Sequence, residues 1–199
     1  MRKGLMRGLV VAMAALAALV VVLGYRLATL ERAEGESGRA AIGGPFSLTD
    51  HNGRRVSDQD FRGKLLLVFF GFTYCPDICP TELQTISVAL DELGPQAARV
   101  QPIFITVDPD RDDPPALADY LSNFHPSFVG LTGTPEEIAA VARAYRVYYA
   151  KARLPNTESE YTMDHSAFVY LMDGEGRYRA HFSSGVAPEK IVAGIRPLL

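Results

Sequence analysis

The sequence predicts an α/β domain built on a central mixed sheet flanked by helices, preceded by an N-terminal transmembrane helix. Three observations carry that expectation. Apolar runs of strand length at 65–70 and 100–107 alternate with segments of helical character, the pattern of a parallel core. A later apolar run, 167–172, is turned by Asp173-Gly174-Glu175-Gly176 into 177–182, an antiparallel hairpin partner that adds an edge. Ahead of them all, residues 9–25 are uncharged and follow Arg2, Lys3 and Arg7.

Seventeen residues at helical rise span about 26 Å, slightly short of a bilayer core of about 30 Å. Arg26 can snorkel and let Leu27 and Leu30 add a turn, so residues 9–27 read as one span. The alternative is a cleaved signal peptide. Its apolar region is usually shorter, and the small-residue triplets here, such as Ala15-Leu16-Ala17, lie inside the apolar run, which favours an uncleaved anchor. Basic residues before the span place 1–8 in the cytoplasm and everything after the span outside. The expected location is the inner membrane, single-pass, with the C-terminal domain on the periplasmic or extracytoplasmic side. Residues 28–41, which include Glu31, Glu34, Gly35, Glu36, Ser37 and Gly38, read as a tether, and 42–199 as the folded domain. All 23 acidic residues and 16 of the 20 basic ones follow Leu30, a net charge of −7 with histidines neutral. That surface lacks the basic footprint nucleic acid requires.

Within the domain, 46–49 and 54–56 alternate around Asp50-His51-Asn52-Gly53 and predict a hairpin. His51 in its turn reads as an exposed polar residue. Residues 65–70 form an apolar run without alternation, a strand buried on both faces. Pro80 at a first turn opens a helix over 81–93. After strand 100–107, the acid-rich loop 108–115 lacks the alternating carboxylates and glycine of an EF-hand and reads as a structural turn. It ends in an Asp cap and a proline-led helix to about Phe124, with His125 just past it. Residues 129–131 predict a short strand. Thr134-Pro135-Glu136-Glu137 is a capping box opening a helix to about Tyr145. Residues 147–151 read as a strand, 152–161 as a polar loop, and 162–166 as the approach to strand 167–172. Residues 188–198 predict a closing helix.

Both cysteines, Cys75 and Cys79, fall where the buried strand hands over to a helix N-terminus. Unpaired backbone N–H groups and the positive end of the helix dipole favour thiolate there. Three readings compete: a local structural disulfide, a thiol–disulfide exchange site, and a metal site needing help from elsewhere. A disulfide closing so short a loop stabilises less than a long-range one in the chain-entropy picture. A reactive cysteine pair at a β-to-α switch of such a sheet is the thioredoxin-like arrangement, although three residues separate the sulfurs rather than two. The chain has no tryptophan, and Tyr74 stands where one usually precedes the first cysteine. His165, beside Asp164 and just before a buried strand, is the candidate third ligand. Zinc prefers four protein ligands in a structural site; two thiolates and an imidazole at low coordination number suit Cu(I), or Cu(II) with a weak extra ligand.

The chain closely resembles the Sco family (SenC-type copper chaperones of respiratory oxidase assembly) from about Gly43 onward. The resemblance rests on Gly71-Phe72-Thr73-Tyr74-Cys75-Pro76-Asp77-Ile78-Cys79-Pro80 and Tyr161-Thr162-Met163-Asp164-His165-Ser166. The blocks at 104–112 and 130–134 support it, and Asp113 departs from a common threonine. It implies a membrane-anchored thioredoxin-like domain that binds copper through Cys75, Cys79 and His165, with Cys75 and Cys79 also forming a redox dithiol. It further implies help in metallating the copper-A centre of cytochrome c oxidase subunit II, and a copper donor protein and a thiol reductant as partners. Members are thought to donate copper, reduce the target's cysteines, or both. On this reading the protein is a metallochaperone rather than an enzyme. The alternative is a thiol–disulfide oxidoreductase without metal.

Overall fold

The computed structural model describes residues 42–153 and 161–199, together with Leu16 and residues 19–24. Leu16 and 19–24 are helical and exposed, and among the described residues no helix is long and apolar enough to cross a membrane. The rest of the expected span, the tether over 28–41 and most of the loop at 152–161 lie outside the described residues. The chain divides into Met1–Ala41 and Ile42–Leu199, and every strand described belongs to the second unit.

That unit is the expected mixed α/β fold. The nine strands among its described residues are β1 (Ser47–Asp50), β2 (Arg55–Ser57), β3 (Leu65–Gly71), β4 (Val100–Thr106), β5 (Val129–Thr132), β6 (Tyr149–Arg153), β7 (Tyr161–His165), β8 (Phe168–Met172) and β9 (Tyr178–Ser183). Four α-helices join them: α1 (Ile78–Leu93), α2 (Pro114–Leu121), α3 (Pro135–Ala144) and α4 (Pro188–Ile195). Seven strands form one sheet in the order β2-β1-β5-β4-β3-β8-β9. The pairs β3–β4 and β4–β5 are parallel; β1–β2, β1–β5, β3–β8 and β8–β9 are antiparallel.

β3 lies inside the sheet between parallel β4 and antiparallel β8 and is buried at every position, which is why its sequence shows no alternation. Phe69, Phe70 and Phe104 are fully buried with Leu67, Ile103 and Ile105 in the same core. α1 presents Cys79, Leu83, Ile86 and Leu90 to that core at helical spacing. The caps form as expected: Asp113 accepts from the Ala116 N–H at 2.9 Å, and Thr134 and Glu137 complete a reciprocal box.

Two differences from expectation bear on function. α1 begins at Ile78, three residues before the expected start, so Cys79 lies within its first turn and Cys75 just ahead of it. Residues 161–165 form a strand, not a loop approach: β7 pairs antiparallel with β6 in a separate two-stranded sheet, with His165 opposite Tyr149 and Tyr161 opposite Arg153. A two-stranded ribbon is marginal by itself. Its sequence is polar and shows no clean alternation, because only Met163 of β7 is buried.

His51 and His125 take structural roles. The Gly130 N–H donates to His51 Nδ1 at 3.0 Å, so His51 ties the first hairpin to β5 and is part-buried, not exposed as expected. His125 Nδ1 lies 2.7 Å from Ser127 Oγ.

Candidate metal centre

Cys75 and Cys79 are free thiols, the first half-buried and the second fully buried. One turn of chain around the start of α1 brings them together: the Cys79 N–H donates to Cys75 Sγ at 3.4 Å, and the Cys75 N–H reaches the Phe72 carbonyl at 3.2 Å. The third donor arrives from the end of β7, where His165 Nε2 lies 3.5 Å from Cys79 Sγ. One donor atom from each of Cys75, Cys79 and His165 lies within 4.8 Å of the others, an arrangement that can hold a metal ion. In a trigonal site, donors about 2.0–2.3 Å from a first-row ion stand roughly 3.5–4 Å apart, so the spacing suits one ion.

The imidazole is fixed on both sides. Its Nδ1 lies 3.1 Å from the Ser166 carbonyl, an acceptor only, so Nδ1 carries the proton and Nε2 turns its lone pair toward the sulfurs. Phe69 and Phe72 meet the ring edge-on at centroid distances of 6.1 and 5.8 Å. Asp164 is exposed and is not the group that orients His165; that is the Ser166 carbonyl. Asp77 stands at the N-cap of α1 without a side-chain cap hydrogen bond.

The two thiols titrate in opposite directions. Cys75 is held down to about 4, first by the hydrogen bond from Cys79, with the backbone N–H groups of 77 and 79 assisting against partial burial. Cys79 is pushed far up, because its proton is the one shared with Cys75 and its sulfur is buried. The metal-free pair thus holds one negative charge at neutral pH, on the half-buried sulfur of Cys75. Iodoacetamide should alkylate Cys75 at a rate flat from about pH 6 to 8 and falling as pH drops toward 4, while Cys79 stays slow; peptide mapping by mass spectrometry reads both. A Cys75 rate that climbs tenfold per unit up to pH 8 would contradict this assignment.

Sequence reasoning did not single out three groups around the site. Asp112 is fully buried behind it and accepts from the Thr73 N–H, Thr73 Oγ1 and Thr106 Oγ1, and burial pushes its carboxyl up. Glu82, one turn along α1 from Cys79, accepts from Ser184 Oγ and the Gly185 N–H at 2.8 and 2.7 Å. Its position on the buried face of an apolar helix was the available signal. Arg111, from the loop after β4, stacks over Tyr74 and Tyr161; nothing local in the sequence marks it.

The SCO1/SenC family model matches residues 34–199. Protein sco1 of Schizosaccharomyces pombe is 46% identical over 160 residues, covering 79% of this chain and 61% of that protein. The mitochondrial SCO1 homolog of Homo sapiens is 44% identical over 161 residues, covering 79% and 53%. The chain therefore spans only about half to three-fifths of the length of these two relatives. Among solved structures, ScoI of Bradyrhizobium japonicum, with copper bound, is 49% identical with a TM-score of 0.74, covering 80% of this chain and all of that one. With its thioredoxin-like sheet, its paired sulfurs and a family match that runs from residue 34 to residue 199, the chain belongs to the SCO1/SenC family.

Proposed function

We propose that the protein is a membrane-anchored copper metallochaperone that binds one copper through Cys75, Cys79 and His165. It assists assembly of the copper-A centre of cytochrome c oxidase subunit II. The observation that carries this reading is the convergence of two sulfurs and one imidazole nitrogen, from positions 86 residues apart, within 4.8 Å. Soft thiolates with a single imidazole and no fourth protein ligand in the group suit copper better than zinc. The copper-bound state of Bradyrhizobium japonicum ScoI supports the same choice. The sequence supports residues 9–27 as the anchor, 28–41 as the tether and 42–199 as the domain held on the outer side of the inner membrane.

Copper here is cargo, and the site is built for release. The centre opens onto a shallow pocket of about 330 Å³ lined by Cys75, Ile78, Tyr148, Met163 and His165. Outside the N-terminal segment, the large apolar side chains exposed among the described residues are Tyr74, Ile78 and Tyr148. Two line this pocket and the third adjoins Cys75. An apolar rim around a ligand-exchange site suits a protein partner that must approach within bonding distance.

A second reading, reduction of the target's cysteines without metal, is favoured by one observation. The sulfurs of Cys75 and Cys79 are close, unpaired and unequal in acidity, as a dithiol that attacks a disulfide requires. One experiment separates the two. The full chain, loaded anaerobically with one Cu(I), is mixed with copper-free, reduced subunit II, and the copper-free chain is mixed with oxidised subunit II. Metal transfer in the first mixture is the expected result. Reduction of the subunit II disulfide in the second, with Cys75 and Cys79 oxidised to a disulfide, and no metal moved in the first would replace the chaperone reading by the reductase one.

A further inference from the structure

We propose that Arg111 is a positioning residue that sets His165 against the two sulfurs, by clamping together the two chain segments that bring the three groups to the site. The inference rests on the three-residue site proposed above. The Arg111 guanidinium lies between two rings, its central carbon 4.7 Å from the Tyr74 ring centroid and 3.9 Å from that of Tyr161. Tyr74 directly precedes Cys75, and Tyr161 begins the strand that ends in His165. Arg111 is therefore in contact with both segments at once.

Polar contacts make the stack directional. Arg111 Nε donates to the carboxylate of Asp108, which is fully buried, and Nη1 donates to the Tyr161 carbonyl at 3.1 Å. The other oxygen of Asp108 accepts from the Tyr161 hydroxyl at 2.7 Å, so one carboxylate bridges the arginine and the tyrosine. Lys151 on β6 reinforces the same end: its ammonium lies 2.6 Å from Asp110 and 4.5 Å from the Tyr161 ring. The far end of the β6–β7 ribbon is thus held to the loop after β4. That loop is in turn held to the cysteine segment through the Thr73 N–H and hydroxyl on Asp112, at 3.0 and 2.6 Å. A two-stranded ribbon has little stability of its own, so its orientation depends on what grips it. His165 sits four residues from the grip on one strand, and a small rotation there moves the imidazole away from Cys79 Sγ.

The test is a double-mutant cycle on the full chain, with Cu(I) affinity read by competition against a chromophoric Cu(I) chelator. The proteins are the parent, Arg111→Met, His165→Ala and the double variant, each checked for its thermal midpoint. Arg111→Met should weaken binding by about 10-fold in the parent and by less than about 2-fold once His165 is absent. Equal losses in the two backgrounds, or no loss in the parent, would overturn the inference. His165→Ala binding as tightly as the parent would instead sink the site itself, so the two failures are distinct. Because Arg111→Met strands a buried carboxylate and can unfold the chain, Tyr161→Phe is the second variant. It deletes only the hydroxyl on Asp108 and should show the same coupling to His165 with a smaller loss. Arg111→Lys keeps the cation between the rings but cannot hold Asp108 and the Tyr161 carbonyl together, so it should fall between parent and methionine variant.

Discussion

Alanine at either Cys75 or Cys79 is expected to lower Cu(I) affinity by at least about two orders of magnitude. Structural zinc sites bind with roughly 10–16 kcal/mol through four ligands, so a thiolate ligand carries about 3 kcal/mol, about a hundredfold in Kd. Here there are three donors, and removing one leaves a two-coordinate remnant. The two variants should differ in stability. Cys79 is fully buried in the core over the β3 phenylalanines, and losing its sulfur opens a small cavity worth about 1 kcal/mol. In a domain of this size that lowers the thermal midpoint by about 2–4 °C. Cys75 is only half-buried, and Cys75→Ala should melt close to the parent. Chelator competition and calorimetry on the metal-free proteins read the two effects separately. A Cys75→Ala chain that retained parental affinity would show that the Cys75 sulfur is not a ligand.

Gly71→Val should damage fold and site together. Gly71 ends β3, and a Cβ built there would lie 2.8 Å from Cys79 Sγ, 2.9 Å from Phe104 Cε2 and 3.0 Å from Phe69 Cε1. All three neighbours are fully buried, so none can swing into solvent. The backbone at Gly71 is ordinary strand, and valine would suit it; the obstacle is space alone. Two further methyl groups put the overpacking near the upper end of the usual range, about 3 kcal/mol, a fall of roughly 6–12 °C in the midpoint. The surviving folded fraction must displace Cys79 Sγ, so its Cu(I) affinity, measured well below the midpoint, should also drop by at least about 10-fold. A valine variant that melted lower yet bound copper as tightly as the parent would mean the sulfur had not moved.

The parts of the fold that were legible share a cause. β3 and β4 read as buried strands because an inner strand buried at every position is mostly apolar along its length. Pro135 with Thr134 and Glu137, and Asp113 with Pro114, marked helix starts because those side chains satisfy local N–H groups whatever the rest of the chain does. β6 was legible, expected at 147–151 and formed at Tyr149–Arg153, but its partner β7 was not. Tyr161 and Lys151 face a charged loop rather than a core, so the alternation that betrays a half-buried strand never appears. The start of α1 was placed late for a related reason. Its first turn carries no side-chain cap for a local rule to detect, and Pro80 looked like the opening residue.

The same division runs through the site. The sequence by itself determined that two soft donors stand four residues apart at a strand-to-helix switch, because that placement depends only on neighbours along the chain. It also offered His165, through family likeness and the chemistry of copper. Only the tertiary structure decided that the imidazole meets the sulfurs, that its Nδ1 proton is spent on the Ser166 carbonyl, and that Arg111 joins the two segments. Those contacts span 86, one and up to 50 positions in sequence. Each of them turns on side-chain direction and strand pairing, which are settled by the packing of distant segments rather than by local residue preference.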